Sequence, residues 1–140
     1  SGLFTFFLFA FSQLFSYSVK NYDYLLGMSG FSDELLQVHF QLYAGYVKNA
    51  NDLLTKIEAA DPFSYECGAL RRRFSWEFDG MRLHELYFEN LGGKSELEKK
   101  DPLYLAIEKQ FGSFEKWKQD FRATGLTRGI GWALLYYDPE

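Results

Sequence analysis

The sequence predicts a mostly α protein: a long antiparallel helical hairpin, then the beginning of an α/β domain with two short helices and a first β-strand. Three observations carry this reading. Apolar residues recur at three- and four-residue steps along two stretches, from Leu35 to Leu53 and from Leu70 to Phe88, which is the spacing of one helix face. Between them stands Asp61-Pro62, and a proline pushes the residue before it out of the helical region, so the chain turns there. After Gly125 the period changes. Ile130-Gly-Trp-Ala-Leu-Leu-Tyr-Tyr137 is apolar and aromatic with no helical repeat, the pattern of a buried strand bounded by Gly129 and Asp138-Pro139.

Each element has its own signals. Residues 1–16 form an apolar N-terminal segment, crowded with Phe and Leu and without a charge; it is shorter than the ~20 apolar residues that span a bilayer. A clipped secretory leader, a membrane-proximal segment and a stretch foreign to the mature protein all fit it. Residues 17–93 are the hairpin domain. Tyr17 to Gly30 alternates aromatic and polar residues and ends in glycines, an extended arm and turn that packs onto the hairpin. Ser32 or Asp33 caps the first helix, whose stripe is Leu35, Val38, His39, Leu42, Tyr43, Tyr46, Ala50 and Leu53. Asp61 is expected to cap the second, with Pro62 in its first turn. That helix runs from about Phe63 to Asn90 and turns Leu70, Phe74, Phe78 or Glu77, Met81, His84 and Phe88 to one side. Gly68 and Gly80 each cost ~1 kcal/mol against alanine inside a helix, so a packing or site reason is expected. Residues 94–140 start a second domain. Asp101-Pro102 opens a short helix, Gly112 breaks it and Ser113 caps another; the strand that follows needs partners for its backbone groups.

Composition narrows the partners. A formal net charge of -4 over 140 residues argues against a nucleic-acid partner, because phosphate binding needs clustered Lys and Arg. Arg71-Arg72-Arg73 is the one basic run and reads as a solvated helix face. A single cysteine, Cys67, allows no intramolecular disulfide, so the fold does not depend on an oxidising compartment; it reads as a mid-helix core residue. A cytoplasmic location is expected, with a secretory leader in residues 1–15 as the alternative.

The candidate chemistry rests on two histidines, His39 and His84, the only two in the chain. The midpoint of their positions falls inside Asp61-Pro62. Two helices running antiparallel from that turn therefore bring both to one height, roughly 34 Å from it at ~1.5 Å per residue. Both lie on apolar stripes. Each alone suits a core histidine satisfied by a backbone carbonyl; together they match the way helical bundles build metal sites from facing helices. Neutral imidazole suits Zn, Cu, Fe or Ni, and Mn with oxygen ligands added. Two ligands are fewer than a catalytic centre holds.

Four pieces in order, His39-Phe-Gln-Leu-Tyr-Ala-Gly-Tyr-Val-Lys-Asn-Ala-Asn51, His84-Glu-Leu-Tyr-Phe-Glu-Asn-Leu91, Phe111-Gly-Ser-Phe-Glu-Lys-Trp117 and Gly129-Ile-Gly-Trp-Ala-Leu134, resemble the iron/manganese superoxide dismutases. The resemblance implies that His39 and His84 are ligands of one Fe or Mn ion. It implies that Tyr46 is the tyrosine closing the substrate channel, and that Trp132 lines the metal pocket. Gly80 resembles the glycine found there in many manganese forms. The implied reaction converts superoxide anion to oxygen and hydrogen peroxide, and a homodimer is the implied assembly. Departures from the family pattern are local. Tyr43 stands one turn after His39 where a histidine is usual, Tyr46 follows at seven residues rather than eight, and Leu83-His84 replaces Asn-His. The remaining Asp and His ligands are expected beyond residue 140, which makes this stretch by itself an incomplete and inactive piece. The alternative is a metal-free scaffold of the same fold with a binding or structural role.

Overall fold

A computed structural model describes residues 16–93 and 97–139. The apolar segment read above as a leader, membrane-proximal or foreign stretch lies, but for Ser16, outside the described residues; so do residues 94–96 of the charged linker and Glu140. The chain divides into two compact units, Ser1–Gly93 and Lys94–Glu140.

In the first unit, helix α1 spans Asp33–Ala59 and helix α2 spans Tyr65–Glu89. Ser32 Oγ accepts from the Leu35 N–H at 3.2 Å, and Asp33 and Glu34 place negative charge at the positive end of the α1 dipole. The start of α2 differs from expectation. The Asp61 carboxylate accepts from the Phe63 N–H at 3.0 Å, closing a turn around Pro62, and an oxygen committed to that local bond no longer caps a helix. Ser64 takes the cap instead, accepting from the Cys67 N–H at 3.0 Å. Cys67 therefore lies in the first turn of α2 rather than mid-helix, and it is buried.

The pairs His39 with His84, Tyr46 with Gly80 and Asn49 with Glu77 climb one helix while descending the other, so α1 and α2 are antiparallel. Their core buries Leu36, Tyr43 and Val47 of α1 against Met81 and Phe88 of α2. The expected stripe is displaced by one line. Leu35, Val38 and Leu42 are more than half exposed, while Leu36, Tyr43, Val47 and Ala50 face inward and His39 sits half-buried at the stripe's edge. Leucine at both 35 and 36 fits two helix faces about 100° apart, and packing against α2 selects the second.

The arm lies on this hairpin, as expected. Tyr17 is clamped by the Asn51 amide, which accepts from its N–H and donates to its carbonyl, both at 2.8 Å. Beyond it a single 3-10 turn, Asp23–Leu25, precedes the glycines. Tyr22 and Leu25 are buried, with the Tyr22 ring 4.8 Å from Phe88 and 5.7 Å from Tyr43.

In the second unit, helix α3 spans Pro102–Phe111 and helix α4 spans Phe114–Gly125. Gly112 breaks between them at φ +86°, a left-handed conformation that favours glycine, and Ser113 caps α4 by accepting from the Lys116 N–H. Tyr104 stacks on Phe114 at 4.6 Å, joining the two helices. The expected buried strand Ile130–Tyr137 is extended and largely exposed, and no strand occurs among the described residues. A strand exists only through ladder hydrogen bonds to another, so an apolar, aromatic composition does not by itself make one. Among the described residues no helix is long and apolar enough to cross a membrane.

Candidate metal centre

The hairpin brings the two predicted histidines together. The imidazoles of His39 and His84 meet edge to face, ring centres 4.9 Å apart at 81°. Aromatic side chains enclose them. Phe88 lies 5.0 Å from His39, Tyr87 lies 5.1 Å from it, and Tyr46 lies 5.1 Å from His84.

The His84 ring is fixed by its own helix. Its Nδ1 is 2.6 Å from the Gly80 carbonyl oxygen one turn back, and a carbonyl can only accept, so the proton is on Nδ1 and the ring lone pair is on Nε2. That bond is equally the one a buried structural histidine makes and the one that orients a metal-ligating histidine. Burial pushes the His39 pKa below its ordinary value, and the neighbouring His84 lowers it further. Burial also lowers His84, against the opposing Gly80 bond. Both rings are therefore neutral near pH 7, the form that binds a metal.

Gly80 has the packing reason that its sequence position called for. A Cβ there would stand 2.5 Å from two carbons of the Tyr46 ring, so the missing side chain is the seat of Tyr46. Tyr46 follows His39 by two turns of α1, and the shared face turns both rings towards α2. Gly68, by contrast, faces open space, and nothing in the structure explains it. Trp132, the other predicted site residue, belongs to the second unit, on the partly exposed extended stretch after α4.

A polar cluster that the sequence reading missed lies one residue from His84. Glu85 is buried, and its carboxylate accepts from the Tyr43 hydroxyl at 3.0 Å and the Arg82 guanidinium at 2.7 Å, with Lys20 Nζ at 3.3 Å. The Tyr43 hydroxyl in turn accepts from the Lys20 N–H at 3.2 Å. Burial tends to raise the Glu85 pKa, yet the bonds from Arg82, Tyr43 and Lys20 overcome it and hold the carboxyl below its ordinary value. The signal was in the sequence: Glu85 sits four residues after Met81 and three before Phe88, inside the apolar stripe. Glu77 is the second buried carboxylate, held by Arg73 and Asn49.

The donor set suits a borderline transition metal in its imidazoles, their neutrality and the Gly80 bond. Among the described residues, however, no three His, Cys, Asp or Glu gather as a ligand group. The hairpin thus holds two protein donors.

Comparison with known proteins decides the family. The model of the iron/manganese superoxide dismutases, C-terminal domain, matches residues 99–140. The iron superoxide dismutase of Saccharolobus solfataricus is 36% identical over 118 residues, 78% of this chain and 56% of that protein. The chain belongs to the iron/manganese superoxide dismutase family. Other members agree: the iron enzyme of Cupriavidus metallidurans is 36% identical over 81% of this chain and 59% of its own length. The manganese superoxide dismutase of Haloarcula marismortui is 33% identical over 84% of this chain and 59% of its own length. The chain thus spans a little over half the length of these family members, which are named for iron in two cases and for manganese in the third.

Proposed function

We propose that this chain is the part of a superoxide dismutase that contributes His39 and His84 to a single Fe or Mn ion. The observation that carries the proposal is the 4.9 Å imidazole pair inside an aromatic enclosure, in a chain of this family. When bound, such an ion supplies a one-electron couple, through which two superoxide anions and two protons become oxygen and hydrogen peroxide. The chain's own residues do the rest. The Gly80 carbonyl holds the His84 proton on Nδ1 and aims Nε2 away from its own helix backbone. Tyr46, seated on Gly80 and against His84, limits what reaches the imidazoles and carries a hydroxyl able to relay a proton. Two imidazoles alone do not complete such a centre, which needs further ligands beside this pair. The net charge of -4 is no barrier to an anionic substrate if the local potential at the channel mouth is positive.

The test is superoxide consumption by the full-length protein together with its metal content. The proposal expects catalysis that disappears, along with bound Fe or Mn, in His39→Ala and His84→Ala. A full-length protein that binds Fe or Mn equally well without either histidine would overturn it.

A metal-free scaffold is favoured by one observation, the absence of a third donor beside the two histidines among the described residues. It predicts a full-length protein that purifies without Fe or Mn and takes up neither.

A further inference from the structure

Apolar contacts between α1 and α2 are interchangeable, whereas a buried carboxylate with fixed donors has one arrangement. In the hairpin one such carboxylate, Glu85, and its donor Tyr43 stand beside the two histidines. Tyr43 follows His39 by one turn of α1, and Glu85 follows His84 directly on α2; the Tyr43 hydroxyl joins them at 3.0 Å. Lys20, from the arm, reaches both partners: its N–H donates to the Tyr43 oxygen at 3.2 Å, and its ammonium lies 3.3 Å from Glu85 and 2.9 Å from Glu89. Arg82 closes the other Glu85 oxygen at 2.7 Å, its guanidinium lying over the rings of Tyr17 and Phe78 at 5.3 and 5.5 Å.

From this geometry we infer that the Tyr43–Glu85–Lys20 node positions the two imidazoles, fixing the rotation of α2 against α1 so that the pair is preformed before any metal binds. A slip of one residue on α2 turns its side chains by about 100°, which would carry His84 off the face it shares with His39. The node resists that slip because Glu85 would lose Tyr43 and Lys20 and keep only Arg82 of its own helix. Three segments distant in sequence meet at it, so docking of the arm and alignment of the histidines become one event. Tyr43, Glu85 and Lys20 are thus positioning residues that act through the histidines. The inference rests on the proposed metal role of the pair, but its structural half can be read without metal.

The test compares two variants of the full-length protein in its metal-free form. Tyr43→Phe removes only the hydroxyl. Glu77→Gln perturbs the other buried carboxylate of α2, bonded to Asn49 of α1 and lying seven residues, ~10 Å, along the helix from His84. Imidazole 15N shifts and the contact between the two rings are followed by NMR, Mn2+ affinity by titration calorimetry, and stability by urea unfolding. With Tyr43→Phe, the ring contact is expected to weaken, both imidazole signals to move, and Mn2+ affinity to fall by about tenfold, the low end for residues behind a ligand. Glu77→Gln is expected to lower stability without these changes. The inference is overturned if Tyr43→Phe leaves rings and affinity as in wild type, or if both variants lose affinity in proportion to stability. A wild-type protein that takes up no Mn2+ or Fe2+ would sink the metal reading instead, and the ring contact would still report whether the node aligns the pair.

Discussion

Gly80 shows how much of a site can depend on an absent side chain. Its hydrogen occupies the place where a Cβ would meet Tyr46, and its carbonyl holds His84, so one residue sets both side chains. Gly80→Ala is expected to destabilise the hairpin by up to about 2 kcal/mol, the overpacking cost of ~1–3 kcal/mol less the ~1 kcal/mol that alanine gains in a helix. The same change should move the Tyr46 ring signals, and urea unfolding with NMR checks both. The histidines themselves set an acid limit. Their folded pKa values lie below the ordinary 6.5, so protons favour the unfolded chain. The stability from keeping them neutral is full above pH about 6.5 and is lost as the pH falls below it. Glu85 acts in the same direction further down, because its folded pKa lies below 4.5: its contribution is present above pH about 4.5 and lost beneath. Unfolding free energy of the metal-free protein, measured from pH 8 to pH 4, should decline from near pH 6.5, and His39→Gln should blunt the upper part of that decline.

At the scale of elements, the helices follow local rules that can be read from sequence, and the departures have non-local causes. The turn at Asp61-Pro62, the start of the first helix at Ser32 or Asp33 and the helical period of both stretches were legible, and with them the meeting of His39 and His84. The rotation of α1 was not, because adjacent leucines at 35 and 36 satisfy the same spacing on two faces. The cap of α2 was misplaced by three residues because Asp61 and Ser64 both suit that role, and the Asp61 oxygen is taken by Phe63. Ser64→Ala should cost about 1 kcal/mol, whereas Asp61→Ala should cost less, a ranking that thermal unfolding tests directly. Glu85 escaped notice because a carboxylate on an apolar stripe makes sense only with its partners. Lys20, which supplies one of them, lies on an arm far from it in sequence. The stretch Ile130–Tyr137 reads as a strand by composition, but pairing is a property of two segments, and no strand occurs among the described residues.

At the scale of the whole molecule, the chain is a two-helix platform with an arm strapped across it, plus a second unit of two helices and an extended end. The chain belongs to the iron/manganese superoxide dismutase family and spans a little over half the length of the relatives compared, and under the proposed function its imidazole pair takes a metal ion. Metal should then act as a folding ligand. At a free concentration of 100 times Kd, Mn2+ would stabilise the full-length protein by about 2.7 kcal/mol, visible as a concentration-dependent rise in Tm that His84→Ala abolishes. The most direct measurement observes both imidazoles at once: the His39 and His84 15N signals of the full-length protein during titration with paramagnetic Mn2+. One ion held between them predicts that both signals broaden together and are lost at one equivalent. Loss of only one, or survival of both, would contradict a shared metal centre.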